Sequence, residues 1–376
     1  VTIVKKFCLI LLLFSLSLLL ACQAKNPNPE YCAVGQTDGV FVCSKTWSLY
    51  FGPTPISLKL YLSIEDEVEV EAIYEQVESL IVEYHQLFDK YHEYDGIENV
   101  YTINHHGLQP TILNELLYDA IAFGLAHEGD IQVDGVNLFN IALGPVLSVW
   151  HDARESSQCV DNVCPIPRDT IDNGTFATDS SKILLNPANQ SITFLEEGMA
   201  IDLGGYGKGY VAEVISDYLD TLSVNYLLNA GNSNLKAGGE NPDREDGHYY
   251  IGLIEPNLSE SLFFDFYTYL RIPDGISIVT SGNYQNYFFG PDLTVYHHII
   301  DPRTHYPGGE AMSVTILSED GALLDIYSTA IYLMTVEEGL DFVNQTDGME
   351  GVWYLPDKTI VYSDQFESLY LYQLPE

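Results

Sequence analysis

The chain of 376 residues carries 54 Asp and Glu against 15 Lys and Arg, a formal charge of −39 at pH 7. So acidic a surface repels polyanions, which disfavours nucleic acid and anionic headgroups as partners. An apolar fraction of 46% with 27 Tyr and 16 Phe excludes a disordered chain and supplies a substantial core.

Lys5 and Lys6 precede an uncharged apolar run from Phe7 to Leu20. The run is short for a membrane-spanning helix and fits the apolar segment of a secretory signal. It ends in Leu19-Leu20-Ala21-Cys22, which resembles a lipoprotein cleavage box with Cys22 as the lipidated first residue; ordinary cleavage with Cys22 unmodified is the alternative. Residues 1–21 are thus expected to be a signal peptide, 22–45 the anchor cysteine and a tether, and 46–376 one domain. The expected location is outside the cytoplasm, tethered as a lipoprotein to the outer face of the cytoplasmic membrane or held in a periplasm. Cys32, Cys43, Cys159 and Cys164 allow three pairings. The local one, Cys32–Cys43 with Cys159–Cys164, closes two short loops and is preferred; a zinc site is the alternative, for which these spacings lack the tight cysteine pairs and nearby His.

Ile56–Ser63 alternates and predicts a strand, and Ile73, Val77, Leu80, Ile81, Tyr84, Leu87 and Phe88 have helical spacing over 72–88. A second helix is predicted from Pro110, carrying Ile112, Leu113, Leu116, Leu117 and Ile121. Residues 151–180, polar and containing the second cysteine pair, predict a surface excursion. A glycine-rich turn at 204–209 opens a helix with Val211, Val214, Ile215, Tyr218 and Leu219. Strands are then predicted at Tyr226–Leu228, Tyr249–Ile254, Phe263–Ile272, Val295–Ile300 and Val314–Leu317. Helices follow at Leu323–Met334 and Glu337–Val343, then strands near Gly351–Tyr362 and Leu369–Leu374. Separate runs of strands and helices favour an α+β fold, with mixed or antiparallel sheets and packed helices, over a doubly wound parallel sheet.

Four segments carry candidate chemistry. In Asp202-Leu203-Gly204-Gly205-Tyr206-Gly207-Lys208-Gly209, glycines let backbone approach a phosphate, the helix start offers N–H donors and Lys208 adds charge; a packing turn is the plain alternative. In His297-His298-Ile299-Ile300-Asp301-Pro302-Arg303, His298 is a candidate base held by Asp301, and Arg303 suits phosphate oxygens. A turn in which Asp301 caps backbone and pairs with Arg303 is the alternative. Asp325 and Thr329 lie one helical turn apart with Ser328 beside them, a hard-oxygen set suited to Mg²⁺; an N-cap Asp with a back-bonded Thr is the alternative. Phe139–Pro145 with Trp150 reads as a wall for an aromatic ring, or as core.

Taken together, Asp202–Tyr210, Asn229-Ala230-Gly231, Thr280–Tyr284, His298–Thr304 and Asp325–Ala330, with looser matches at Phe88–Tyr91 and Phe139–Pro145, resemble the ApbE family of FAD:protein FMN transferases. The resemblance implies a metal held by Asp325, Ser328, Thr329 and the Gly205 carbonyl. It implies FAD contacts at Tyr91, Leu138, Phe139, Asn140, Asp202, Lys208 and Ile300, and a catalytic role for His298. Gly207 and Asn283 depart from the family's usual alanine and aspartate, and Phe51–Thr54 stands where the family has an early flavin-contact turn. The implied reaction is Mg²⁺-dependent transfer of FMN from FAD to a Thr or Ser hydroxyl of an exported acceptor protein, releasing AMP. Hydrolysis of FAD to FMN and AMP, and passive flavin binding by a lipoprotein, are the rival readings.

Overall fold

A computed structural model describes residues 30–48, 50–52, 55–63, 66, 68–258 and 265–373. The signal segment, Cys22 and most of the polar stretch after it lie outside these residues. At the centre is a nine-stranded sheet of β1 (Cys32–Val34), β2 (Val40–Trp47), β3 (Ile56–Ser63), β4 (Asn225–Ala230), β5 (Asn234–Gly238), β6 (Ser277–Gly282), β7 (Ser313–Ser318), β8 (Glu350–Tyr354) and β9 (Ile360–Tyr362). Spatial order follows chain order, and every neighbouring pair is antiparallel. The fold is therefore a long meander whose turns have been expanded, and the expansions carry the helices. The α+β expectation holds.

Nine helices are described: α1 (Val70–Phe88), α2 (Val100–His105), α3 (Glu115–His127), α4 (Gly144–Arg154), α5 (Arg168–Asn173), α6 (Gly207–Thr221), α7 (Gly321–Tyr332), α8 (Val336–Gln345) and α9 (Phe366–Tyr370). One face of the sheet buries Leu58, Leu60 and Leu228 against α1 and α6, and Val314 and Ile316 against α7 and α8. The opposite face buries Ile278, Leu317 and Val352 under α9 and a hairpin of Tyr249–Ile254 with Phe266–Ile272. Ile316 and Leu317 thus go to opposite cores, as strand alternation requires, and β7 is covered on both sides.

Several sequence expectations are corrected. Within residues 32–45, assigned to the tether, lie β1 and most of β2 of the main sheet, so the folded body includes residues before 46. No helix starts at Pro110. Thr111 and Ile112 pair with Ile192 and Ser191, Ile112 is exposed, and α3 begins at Glu115 with the Asn114 side chain accepting from the Leu116 N–H. The strand expected through Ile300 stops at His297. Of the last predicted strand, Leu369–Leu374, the first two residues belong to the short helix α9, which buries Phe366 and Tyr370, Leu371 makes a single antiparallel bridge to Leu270, and Leu374 lies outside the described residues. The excursion at 151–180 buries Cys164 and Ile171 in a small core of its own with Trp150, Phe288 and Tyr296. Both preferred disulfides are present, Cys32–Cys43 across β1 and β2, and Cys159–Cys164.

Candidate active site

A cavity of about 1470 Å³ opens where the expanded turns of the meander meet. Typical small-ligand pockets run to roughly 300–1,000 Å³, so this one has room for a dinucleotide. Its walls come from the 202–208 turn and the start of α6, Asp325 and Thr329 of α7, residues 138–140, α4, and the 280–286 and 296–300 segments.

The glycine-rich turn folds on itself more than its sequence suggests. The Asp202 carboxylate accepts from Gly204 N–H at 2.7 Å and is ion-paired with the Lys90 ammonium. Burial works against the Lys90 charge, but Asp202 and the adjoining Tyr91 outweigh it and raise its pKa. The N–H groups of Tyr206 and Gly207 donate to the Leu203 carbonyl, and that of Gly209 to the Asp325 carboxylate at 2.8 Å. The expected row of free donors at the helix start is thus mostly consumed internally. Lys208 remains, and its charge reaches both Asp325 and His298, pulling the pKa of each downward.

Asp325 sits on α7 and is 6% exposed. Burial pushes its carboxyl pKa up, opposed by Lys208, the Gly209 N–H and the Asn234 side chain. Thr329, one turn on, shares its face and lines the same cavity. The Thr329 hydroxyl donates to the Asp325 carbonyl at 3.3 Å, which leaves its oxygen lone pairs available. Gly205 also lines the cavity, close to Phe139. Ser328 is different: fully buried, it sits 2.9 Å from the Ser281 hydroxyl and donates to the Asp325 carbonyl at 3.1 Å, and it is absent from the cavity wall. Among the described residues no cluster of three or more His, Cys, Asp and Glu could hold a metal. One carboxylate with hydroxyl and carbonyl oxygens does not suit zinc, but it fits a hard cation that keeps water or phosphate ligands.

The 296–303 segment divides. His297 borders the cavity but is buried against Tyr332, and burial lowers its pKa to about 4. His298 is more exposed, open to the cavity yet ringed by protein. Burial, then the charge of Lys208, brings its pKa down to about 3, so the imidazole is neutral at pH 7. Ile300 also reaches the cavity. Asp301 and Arg303 do not. The guanidinium donates to both Asp301 oxygens at 2.8–3.0 Å and to the Leu333 carbonyl at 2.7 Å, beyond the end of α7. The expected roles of Asp301 in holding His298 and of Arg303 in meeting phosphate are corrected: the pair staples a turn to α7.

Tyr91, Leu138, Phe139 and Asn140 line the cavity as expected. The Asn140 side chain is occupied, accepting from Ala142 N–H and donating to the Thr178 carbonyl. The motifs did not single out Lys90, His151 or Arg154. The last two sit one turn apart on α4, 3.2 Å from each other, with the Tyr91 hydroxyl 3.3 Å from His151. Their signal was the Gly144-Pro145 helix start, which puts both on one face with Trp150 just before. Beyond Arg154, the Cys159–Cys164 loop joins the strand Tyr287–Phe289, hairpin partner of the Val295–His297 strand that leads to His298: Cys164 N–H donates to the Phe289 carbonyl and Phe289 N–H to the Asn162 carbonyl, both at 2.8 Å.

The model of the ApbE family matches residues 53–353. A FAD:protein FMN transferase of Klebsiella pneumoniae is 29% identical over 313 residues, covering 82% of this chain and 89% of its own. The crystal structure of an ApbE protein from Thermotoga maritima superposes with a TM-score of 0.70 at 25% identity, over 86% of this chain and 99% of its own. The flavin transferase ApbE from Vibrio cholerae gives a TM-score of 0.66 at 18% identity, over 87% and 99% respectively, a likeness of fold. With four-fifths of its length matched by the family model and its motif residues gathered round one cavity, the chain belongs to the ApbE family.

Proposed function

We propose that this protein transfers the FMN moiety of FAD to a Thr or Ser hydroxyl of an exported acceptor protein, releasing AMP, with Mg²⁺ as the metal. One observation carries the reading: a dinucleotide-sized cavity in which Asp325, Thr329 and Gly205 share walls with Lys208 and His298. In the reaction the bond between the FMN phosphorus and the bridging oxygen breaks, and a bond from the acceptor oxygen to that phosphorus forms. Such transfers depend on positioning and charge neutralisation more than on covalent help from the protein. Asp325, Thr329 and the Gly205 carbonyl would hold the Mg²⁺, which supplies charge neutralisation at the diphosphate when bound. Lys208 adds a second positive charge from the start of α6. His298 is neutral and takes the acceptor's hydroxyl proton; an anionic diphosphate beside Lys208 offsets that lysine's charge and strengthens the imidazole as a base. Tyr91, Leu138 and Phe139 furnish flat and apolar surface for the ring systems.

Export with lipidation at Cys22 completes the proposal. The apolar run ending at Ala21-Cys22 supports it, as do two disulfides, which persist in oxidising compartments. Among the described residues no helix is long and apolar enough to cross a membrane. The deciding experiment incubates the mature chain with FAD, Mg²⁺ and a candidate acceptor, followed by mass spectrometry. An FMN-sized adduct on Thr or Ser is the expected result. Free FMN and AMP without adduct would make the protein a hydrolase, and intact FAD would make it a carrier.

A further inference from the structure

The helices α6 and α7 exchange carboxylates. On α6, Gly209 and Glu213 lie one turn apart; on α7, Gly321 and Asp325 do the same. The Gly209 N–H donates to Asp325 at 2.8 Å, and the Gly321 N–H donates to Glu213 at 2.6 Å. Each helix thus satisfies an N–H in the other's first turn, where no partner exists within the helix itself. The contact is tight because both positions are glycine. A Cβ on Gly209 would lie 2.5 Å from the Gly321 carbonyl oxygen, and one on Gly321 would lie 2.7 Å from the Glu213 carboxylate.

The two carboxylates then diverge. Asp325 lines the cavity. Glu213 is absent from its wall and is fixed behind it by Lys236, 9% exposed, at 3.0 Å, and by the Ser277 hydroxyl at 3.1 Å. Lys236 also donates to the Glu319 carbonyl, just before α7. We infer that Glu213, locked by Lys236, is a positioning residue for Asp325: it sets the register of α7 on α6 and so delivers Asp325 to its place beside Gly209 on the cavity wall. The inference rests on the proposed metal role of Asp325, and its test separates the two.

The full mature chain is compared with E213A and E213Q in two measurements. Amide hydrogen exchange at Gly209, without ligand, reports whether Asp325 still accepts from it. Mn²⁺ binding in the presence of FAD, followed by electron paramagnetic resonance, reports cation affinity. E213A should speed Gly209 exchange and weaken Mn²⁺ binding by about tenfold or more each, the effect of losing one good hydrogen bond. E213Q keeps an oxygen for the Gly321 N–H and should stay within about threefold of the parent in both. Wild-type exchange at Gly209 and wild-type Mn²⁺ affinity in E213A, with only a lowered Tm, would overturn the inference. Should E213A not fold, E213D decides by the same readouts, since its shorter side chain withdraws from Gly321; parental values there overturn the inference too. If the unmodified chain binds no Mn²⁺, the metal reading fails, while Gly209 exchange still judges the positioning role alone.

Discussion

The α6–α7 wall and the 296–303 turn both bring polar residues to the edge of one cavity, and they sort them differently. On α7, Asp325 and Thr329 share a face because one helical turn separates them, whereas Ser328, a single residue short, falls behind the wall against Ser281. In the second segment residues 296–300 all border the cavity, His297 buried against Tyr332 and His298 more exposed, and the chain then doubles back so that Asp301 and Arg303 clasp each other beyond α7. A helix preserves a functional face over several residues. The strand running into a turn keeps its residues at the cavity as far as Ile300 and loses it where the chain doubles back.

That contrast is open to breakage, most sharply at Asp325. D325A should lower FMN transfer by on the order of a thousandfold, as loss of the charge-stabilising group implies, while the protein stays folded by circular dichroism. Transfer within tenfold of the parent, read as adduct by mass spectrometry, would take Asp325 out of the chemistry. The turn should respond in two distinct ways. H298A should cost about 10²–10⁴ in rate, the range for loss of a general base. D301A should leave the rate per folded molecule within about threefold but cost about 2 kcal/mol in urea unfolding, because Arg303, only 28% exposed, loses its partner. Equal catalytic losses in both variants would erase the division drawn through the turn.

G209A probes the helix wall by stability: its methyl would meet backbone at Gly321, and overpacking of this kind costs about 1–3 kcal/mol. The smallest effect expected is an absence of change with pH. With folded pKa values lowered to about 4 and about 3, the imidazoles of His297 and His298 should show no NMR titration between pH 7.5 and 5. The unfolded chain binds protons at these two sites near pH 6.5 and the folded chain does not, so their effect on stability is absent above that pH. Stability attributable to them is lost as the pH falls from about 6.5 towards about 3. A ring titrating near 6.5 in the folded protein would show that its site is more hydrated than the structure has it.

Much of this was legible in the residues. Strand alternation gave Ile56–Ser63, helical spacing gave α1 and α6, and the one-turn spacing of Asp325 and Thr329 gave a shared face. What escaped was tertiary in origin. Pro110 is as good a strand entry as a helix start until Ile192 and Ser191 arrive to pair with Thr111 and Ile112. Residues 32–45 go with the tether on sequence alone because β1 and β2 gain their partners only from β3 and the disulfide. Lys90 carries no local sign that it will meet Asp202, over a hundred residues away, and His151 and Arg154 look like an ordinary polar helix end. Asp301 and Arg303 show the converse: adjacent charges in sequence that find each other and not the ligand space.

The Cys159–Cys164 bond has a practical consequence for anyone handling the protein. It closes the loop between Arg154 and the hairpin that carries the chain to His298, so oxidation adds a covalent stitch to the hydrogen bonds that hold that loop beside the ligand space. Preparations from a reducing cytoplasm and preparations from an oxidising one share a sequence but not this stitch. A thiol count belongs beside every activity figure, and reductant in the assay buffer is a variable to be titrated.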